Sequence, residues 1–171
     1  MPARRLVSRA GERTFSPSRS LEQAGFTLSE ILIVVAIIGM LVLLALPNFL
    51  QARKTATHNQ FIAELRVAYD AFAMYSIEHG RYPPDATQGV MPAGMDPYLK
   101  RMRWADKTPI GGQWDWDNVQ LGSGSKAGVS VYMPPVTDAE MREIDALIDD
   151  GNLATGAFQK RANGFIYIME K

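Results

Sequence analysis

One carboxylate, Glu30, stands at the edge of an apolar stretch, and from Ile31 to Gln51 no charged residue follows it. Left unpaired in lipid, such a charge costs at least about 2.5–3.5 kcal/mol, so its position points to a positive partner. Two further acidic groups, Asp115, Asp117 and Asn118 and then Asp149, Asp150 and Asn152, offer oxygen ligands to a hard cation such as calcium. Neither follows EF-hand spacing, and the second also reads as a solvated helix end, although carboxylates there oppose the helix dipole. His58 and His79 lack metal-ligand spacing and read as polar helix positions. Gly122-Ser123-Gly124-Ser125-Lys126 lacks the G-x-x-x-x-G-K-[ST] spacing of a phosphate loop and reads as a turn. No nucleophile, base and orienting group form a set, so enzymatic activity is not expected.

The elements that must position these groups follow from periodicity. About 20 apolar residues in a helix, rising 1.5 Å each, match the ~30 Å hydrocarbon core of a bilayer. Beyond that span Phe61, Leu65, Ala68, Phe72 and Tyr75 recur on one face, with Glu64, Arg66, Asp70 and Glu78 off it. One helix is therefore expected from near Ser29 to about His79, half membrane span and half spine of a soluble head. Gly80 stops it, with Pro83 and Pro84 close behind. Pro47 lies inside the apolar half, where it removes a backbone hydrogen bond and should kink or loosen the helix.

From Arg81 to Gly128 the chain is irregular and rich in aromatics, which suits a loop packed onto the head. Within it Trp114 and Trp116 share one strand face, Asp115 and Asp117 the other. Gly128 to Met133 reads as a second strand, its apolar face built from Val129, Val131 and Met133. Thr137-Asp138-Ala139-Glu140 has capping-box spacing ahead of Met141, Ile144, Leu147 and Ile148, a short amphipathic helix closed by Gly151. Phe165 to Met169 reads as the last strand. The expected fold class is α+β, a long N-terminal helix with a small antiparallel sheet packed on its outer half.

Charge gives the orientation. Before Phe26 five arginines face only Glu12 and Glu22; from Phe26 onward thirteen Lys and Arg face sixteen Asp and Glu. A basic flank stays cytoplasmic and sends the C-terminal part outward. The acidic remainder argues against a nucleic-acid partner. With no cysteine, packing, hydrogen bonds or a bound ion must hold the outer loops. Met1 to Ala24, polar and aperiodic, reads as a targeting leader.

The run Gly25-Phe26-Thr27-Leu28-Ser29-Glu30, extended by Gly39 and Pro47-Asn48-Phe49, resembles the prepilin cleavage and methylation signal of type IV pilins and type II secretion pseudopilins. The resemblance implies cleavage after Gly25 by a membrane peptidase and N-methylation of Phe26. It gives Glu30 a role in filament assembly, and Gly39 and Pro47 that of loosening the helix. It implies three parts: a leader at 1–25, a transmembrane and assembly segment at 26–50, and an exported head at 51–171. Implied partners are the prepilin peptidase/methyltransferase, further copies and minor pseudopilins, an inner-membrane assembly platform and the membrane itself. Gly80-Arg81-Tyr82-Pro83 and Thr108-Pro109-Ile110-Gly111-Gly112 leading into Trp114 resemble the G-type pseudopilin, which binds calcium in its C-terminal loops. A type II secretion pseudopilus subunit is the first expectation. A type IV pilus subunit is the second, and a membrane-tethered enzyme or binding domain a remote third.

Overall fold

The computed structural model describes residues 25–118 and 127–170. The expected leader and the Gly122–Lys126 turn lie outside them. The described chain forms two compact units, one ending at Leu44 and the other beginning at Ala45.

Helix α1 runs Leu28–His79 and contributes to both units. In the first, every described residue is exposed, including Ile31 to Leu44. By length and composition α1 is the one helix among the described residues apolar enough to cross a membrane. Pro47 has no N–H to give the carbonyl of Leu43, and the division between the units falls one residue past that carbonyl. Gly80, at φ 67°, ends the helix in the left-handed conformation that suits glycine.

The second unit is built on the outer part of α1. Strands β1 (Gln113–Asn118), β2 (Ala127–Tyr132), β3 (Phe158–Arg161) and β4 (Gly164–Glu170) form one antiparallel sheet in the order β1-β2-β4-β3. Phe61, Leu65, Ala68, Phe72 and Tyr75 are all buried, the face that their spacing predicts. Phe61 stacks on Trp114 with centroids 5.4 Å apart, and Phe72 on Trp116 at 3.9 Å. Trp104 closes the space between these stacks, and its indole N–H donates to the Val90 carbonyl at 2.9 Å. Such aromatic pairs add about 0.5–1.5 kcal/mol to their area burial. The irregular segment 81–112 is therefore packed onto the head, as its aromatics suggest, with Met95, Leu99, Met102, Trp104 and Ile110 buried in the core.

Helix α2 (Asp138–Ile148) is capped by Thr137, whose hydroxyl accepts the Glu140 N–H at 3.2 Å. The Glu140 carboxylate does not close the box. It meets His58 Nε2 at 3.0 Å, while Glu143 takes Lys54 Nζ at 2.6 Å, and the two pairs dock α2 on α1. His58 is thus a polar helix position that is buried where the two helices meet.

Three other expectations are corrected. Met133 lies beyond β2 with φ 43° and is exposed, because the chain must turn there ahead of Pro134-Pro135. Leu147 is exposed on α2, whose inward positions are Met141, Ile144 and the unexpected Asp145. Strand β3 is absent from the sequence reading because Phe158-Gln159-Lys160-Arg161 is short and mostly polar, as an edge strand tends to be.

Candidate functional site

The first candidate site is the start of α1. Gly25, Phe26 and Thr27 precede the helix, and all three are exposed, Phe26 to 83%. Thr27 takes the N-cap position. Its backbone N–H donates to Glu30 Oε2 at 2.7 Å, its hydroxyl donates to the same oxygen at 2.8 Å, and Glu30 N–H returns to Thr27 Oγ1 at 3.2 Å. This is a complete capping box. Its signal, threonine three residues before glutamate, is plain in the sequence. The box occupies one carboxylate oxygen, Oε2, and each carboxylate oxygen can accept more than one hydrogen bond. Helix start and pairing with a nearby amine are therefore compatible. A Cβ built on Gly25 or Gly39 would meet nothing within 4 Å. Packing among the described residues does not call for glycine at either position.

The acidic candidates resolve into two different environments. Asp115 and Asp117 point to the sheet face away from α1, where the Arg161 guanidinium takes both: Nη2 to Asp115 Oδ2 at 3.0 Å and Nη1 to Asp117 Oδ2 at 2.6 Å. The Ser130 hydroxyl donates to Asp117 at 2.6 Å. Burial, then the neighbouring Asp117, push the Asp115 carboxyl up to about 6 against the opposing pull of Arg161. With a cation already supplied by β3, this pair does not fit a metal ion. Asn118 donates its side-chain amide to the Pro83 carbonyl at 2.8 Å.

Asp149 and Asp150 follow α2. They come together with Asp145, a residue that the sequence reading left out, and ligand oxygens of the three lie within 4.8 Å of one another. Asp145 stands four residues before Asp149, the spacing that stacks two helix side chains, and that was the available signal. Asn152 turns away, its side-chain oxygen accepting the Ala154 N–H at 3.2 Å. Neither Asp145 oxygen has a hydrogen-bond partner, although the residue is fully buried. An all-oxygen donor set with one orphaned buried carboxylate fits calcium, which would serve here as a structural tie.

The prokaryotic N-terminal methylation motif matches residues 21–46. The type II secretion system core protein G of Dickeya chrysanthemi is 26% identical over 83% of this chain and 95% of its own length. That of Klebsiella pneumoniae is 36% identical over 36% of this chain. The chain spans 44% of the Klebsiella protein and 43% of the Aeromonas hydrophila one. A type IV major pilin protein of Myxococcus xanthus is 38% identical, over 37% of this chain and 29% of the pilin. No solved structure matches the chain.

Proposed function

We propose that this chain, which carries the N-terminal methylation motif of the pilins and resembles the type II secretion pseudopilins, is a structural filament subunit of a type II secretion pseudopilus. Residues 1–25 are a leader removed after Gly25, Phe26 is N-methylated, 26–50 lie in the inner membrane and then in the filament, and 51–171 form the exported head. The observation that carries this reading is the first half of α1, where Glu30 heads an apolar helix that stays exposed from Ile31 to Leu50. A helix of that kind needs either lipid or other such helices around it.

In lipid both an ammonium and a carboxylate are expensive alone, so leader removal matters electrostatically. It creates an α-amino group on Phe26, and the Glu30 carboxylate of a neighbouring copy can pair with it, which fixes the axial register of subunits. Gly39 offers a place where a neighbouring helix approaches closely, and Pro47 a place where the helix bends as it leaves the bilayer. Nothing in this role calls for catalysis by the chain itself. Its partners are the peptidase/methyltransferase, other pseudopilins and an inner-membrane platform. A type IV pilus subunit is the second reading, supported by the pilin match, which spans the smaller share of its relative.

Mass spectrometry of the membrane-bound protein tests the processing step. The mature chain is expected to begin at methylated Phe26, and Gly25→Val to leave the leader attached in an inserted protein. An intact arginine-rich leader on the assembled protein would overturn the reading.

A further inference from the structure

Two residues, Ala162 and Asn163, join β3 to β4, and the pair Arg161 and Gly164 closes the turn. Asn163-Gly164 is the single Asn-Gly step in the chain, since Asn48, Asn59, Asn118 and Asn152 precede Phe, Gln, Val and Leu. The sheet dictates the glycine. Gly164 has φ 152°, and a Cβ there would lie 2.0 Å from the Val131 carbonyl oxygen of β2. It does not dictate the asparagine. Asparagine before glycine in a two-residue hairpin ordinarily serves by accepting a positive φ. Here Met133 is the one described non-glycine residue with a positive φ. The Asn163 side chain is exposed and hydrogen-bonds to no other described residue. Its backbone carbonyl makes the contact at this corner, accepting the Met133 N–H at 2.9 Å.

We propose that Asn163 is a site of spontaneous modification, its amide converted to an acid through attack by the Gly164 nitrogen, and that the product loosens β3. The Gly164 nitrogen gives its proton to hydroxide and bonds to Asn163 Cγ. The bond from Cγ to Nδ2 breaks, and Nδ2 leaves as ammonia with a proton taken from water. The product is a five-membered cyclic imide. Water then adds to one of its two carbonyls, and the bond from that carbon to the Gly164 nitrogen breaks, which returns a proton to the nitrogen. Opening at Cγ gives aspartate, and opening at the backbone carbonyl gives isoaspartate. The sum is amide plus water to acid plus ammonia, with nothing oxidised or reduced. Glycine favours the attack because no side chain shields its nitrogen or restricts its backbone.

Place in the sheet sets both the rate and the consequence. Strand β3 is four residues long and lies at the edge of the sheet. A short edge element opens locally without unfolding the whole domain, and opening at Arg161 and Gly164 releases the nitrogen for attack. The isoaspartate product carries the main chain through Cβ and Cγ, one carbon longer than before. A two-residue turn fixes the register of its strands, so the added carbon displaces β3 against β4. That displacement draws Arg161 away from Asp115 and Asp117, which it meets at 3.0 and 2.6 Å. Either product also places a new carboxylate at the turn.

The inference concerns the head alone and does not depend on the filament role. The full chain in detergent micelles is kept in mildly alkaline buffer, with a parallel sample unfolded in urea, and the tryptic peptide 162–171 is followed by mass spectrometry. In the folded chain this peptide is expected to gain the mass of an amide turned acid and to split into two isomers, one of them a substrate for isoaspartyl methyltransferase. The four other asparagines stay unchanged over the same time. The folded rate should lie from about tenfold to about a hundredfold below the urea rate, the retardation set by local opening. Urea unfolding of the aged chain should show a lowered midpoint. Asn163→Ala, at an exposed position, keeps the fold and should show neither the mass gain nor the lowered midpoint. A folded rate more than about a thousandfold below the urea rate would mean that only globally unfolded chains react, and overturns the proposal. Acid formed without the isoaspartyl isomer would equally overturn it, because direct hydrolysis needs no attack by Gly164. So would an unchanged midpoint in fully converted chains, or an equal loss in aged Asn163→Ala.

Discussion

At the scale of single residues, Glu30 has two tasks that mutation can separate. It closes the capping box with Thr27, and in the proposed filament it pairs with the α-amino group of a neighbour's Phe26. Glutamine is also a good partner in a capping box. Glu30→Gln should therefore keep the helix start and remove only the charge. Glu30→Leu removes both but suits lipid better than the native residue. Both variants are expected to be inserted, trimmed after Gly25 and present at normal membrane levels, yet to form no filaments, as read by immunoblot of sheared fractions. Wild-type filament yield from Glu30→Leu would show that the carboxylate is merely tolerated at its place. A filament defect in Glu30→Leu but not in Glu30→Gln would assign the effect to the cap.

At the scale of elements, the face of the sheet away from α1 depends on one cation that spans several strands. Arg161 on β3 meets Asp115 and Asp117 on β1, with Ser130 of β2 between them. Arg161→Met would leave Asp115 buried without its partner, which costs about 3–5 kcal/mol at neutral pH. The pH dependence follows from the sign of the Asp115 shift. Its carboxyl is held at about 6 in the fold against its ordinary 3.8. Between those values the folded chain binds more protons than the unfolded one, so this group adds stability as pH falls from 7 towards 4. The deficit of Arg161→Met should shrink over the same window, measured by urea unfolding at pH 7 and pH 5. A deficit unchanged between the two would rule out Asp115 as its origin. This network was not legible in the sequence. Alternation places Asp115 opposite Trp114 and Trp116, but alternation cannot say that the far face is also covered, nor that the covering charge comes from a short polar strand such as Phe158–Arg161. By contrast α1 was readable nearly to the residue, because its apolar spacing and the stop at Gly80 are local signals. Helix α2 was readable in extent through Thr137 and Gly151. Its buried face was readable at Met141 and Ile144 but not at Asp145, which is buried while Leu147 is exposed.

At the scale of the whole molecule, Ala45 opens a compact unit that carries all four strands of the described residues and α2. Its contacts with α1 begin at Lys54 and His58 and run to Tyr75 and beyond. Residues 51–171 alone should then form a soluble monomer of mixed helix and strand with a single cooperative transition, checked by circular dichroism and size-exclusion chromatography. Leu46, Phe49 and Leu50, all exposed, are best left out, since they invite association. A fragment that stays unfolded with or without calcium would mean that the head needs the apolar half of α1.

The placement of the three tryptophans has an optical consequence. Trp104, Trp114 and Trp116 are the chain's only indoles, all about equally buried and in ring contact with Phe61, Phe72 or one another. Indole emission therefore comes wholly from the head, from a dry environment, and shifts to the red as the stacks on α1 separate. The segment from Phe26 to Leu50 contributes none. In an intact membrane or filament the unlabelled chain thus carries its own gauge of head integrity, silent to whatever the apolar helices do.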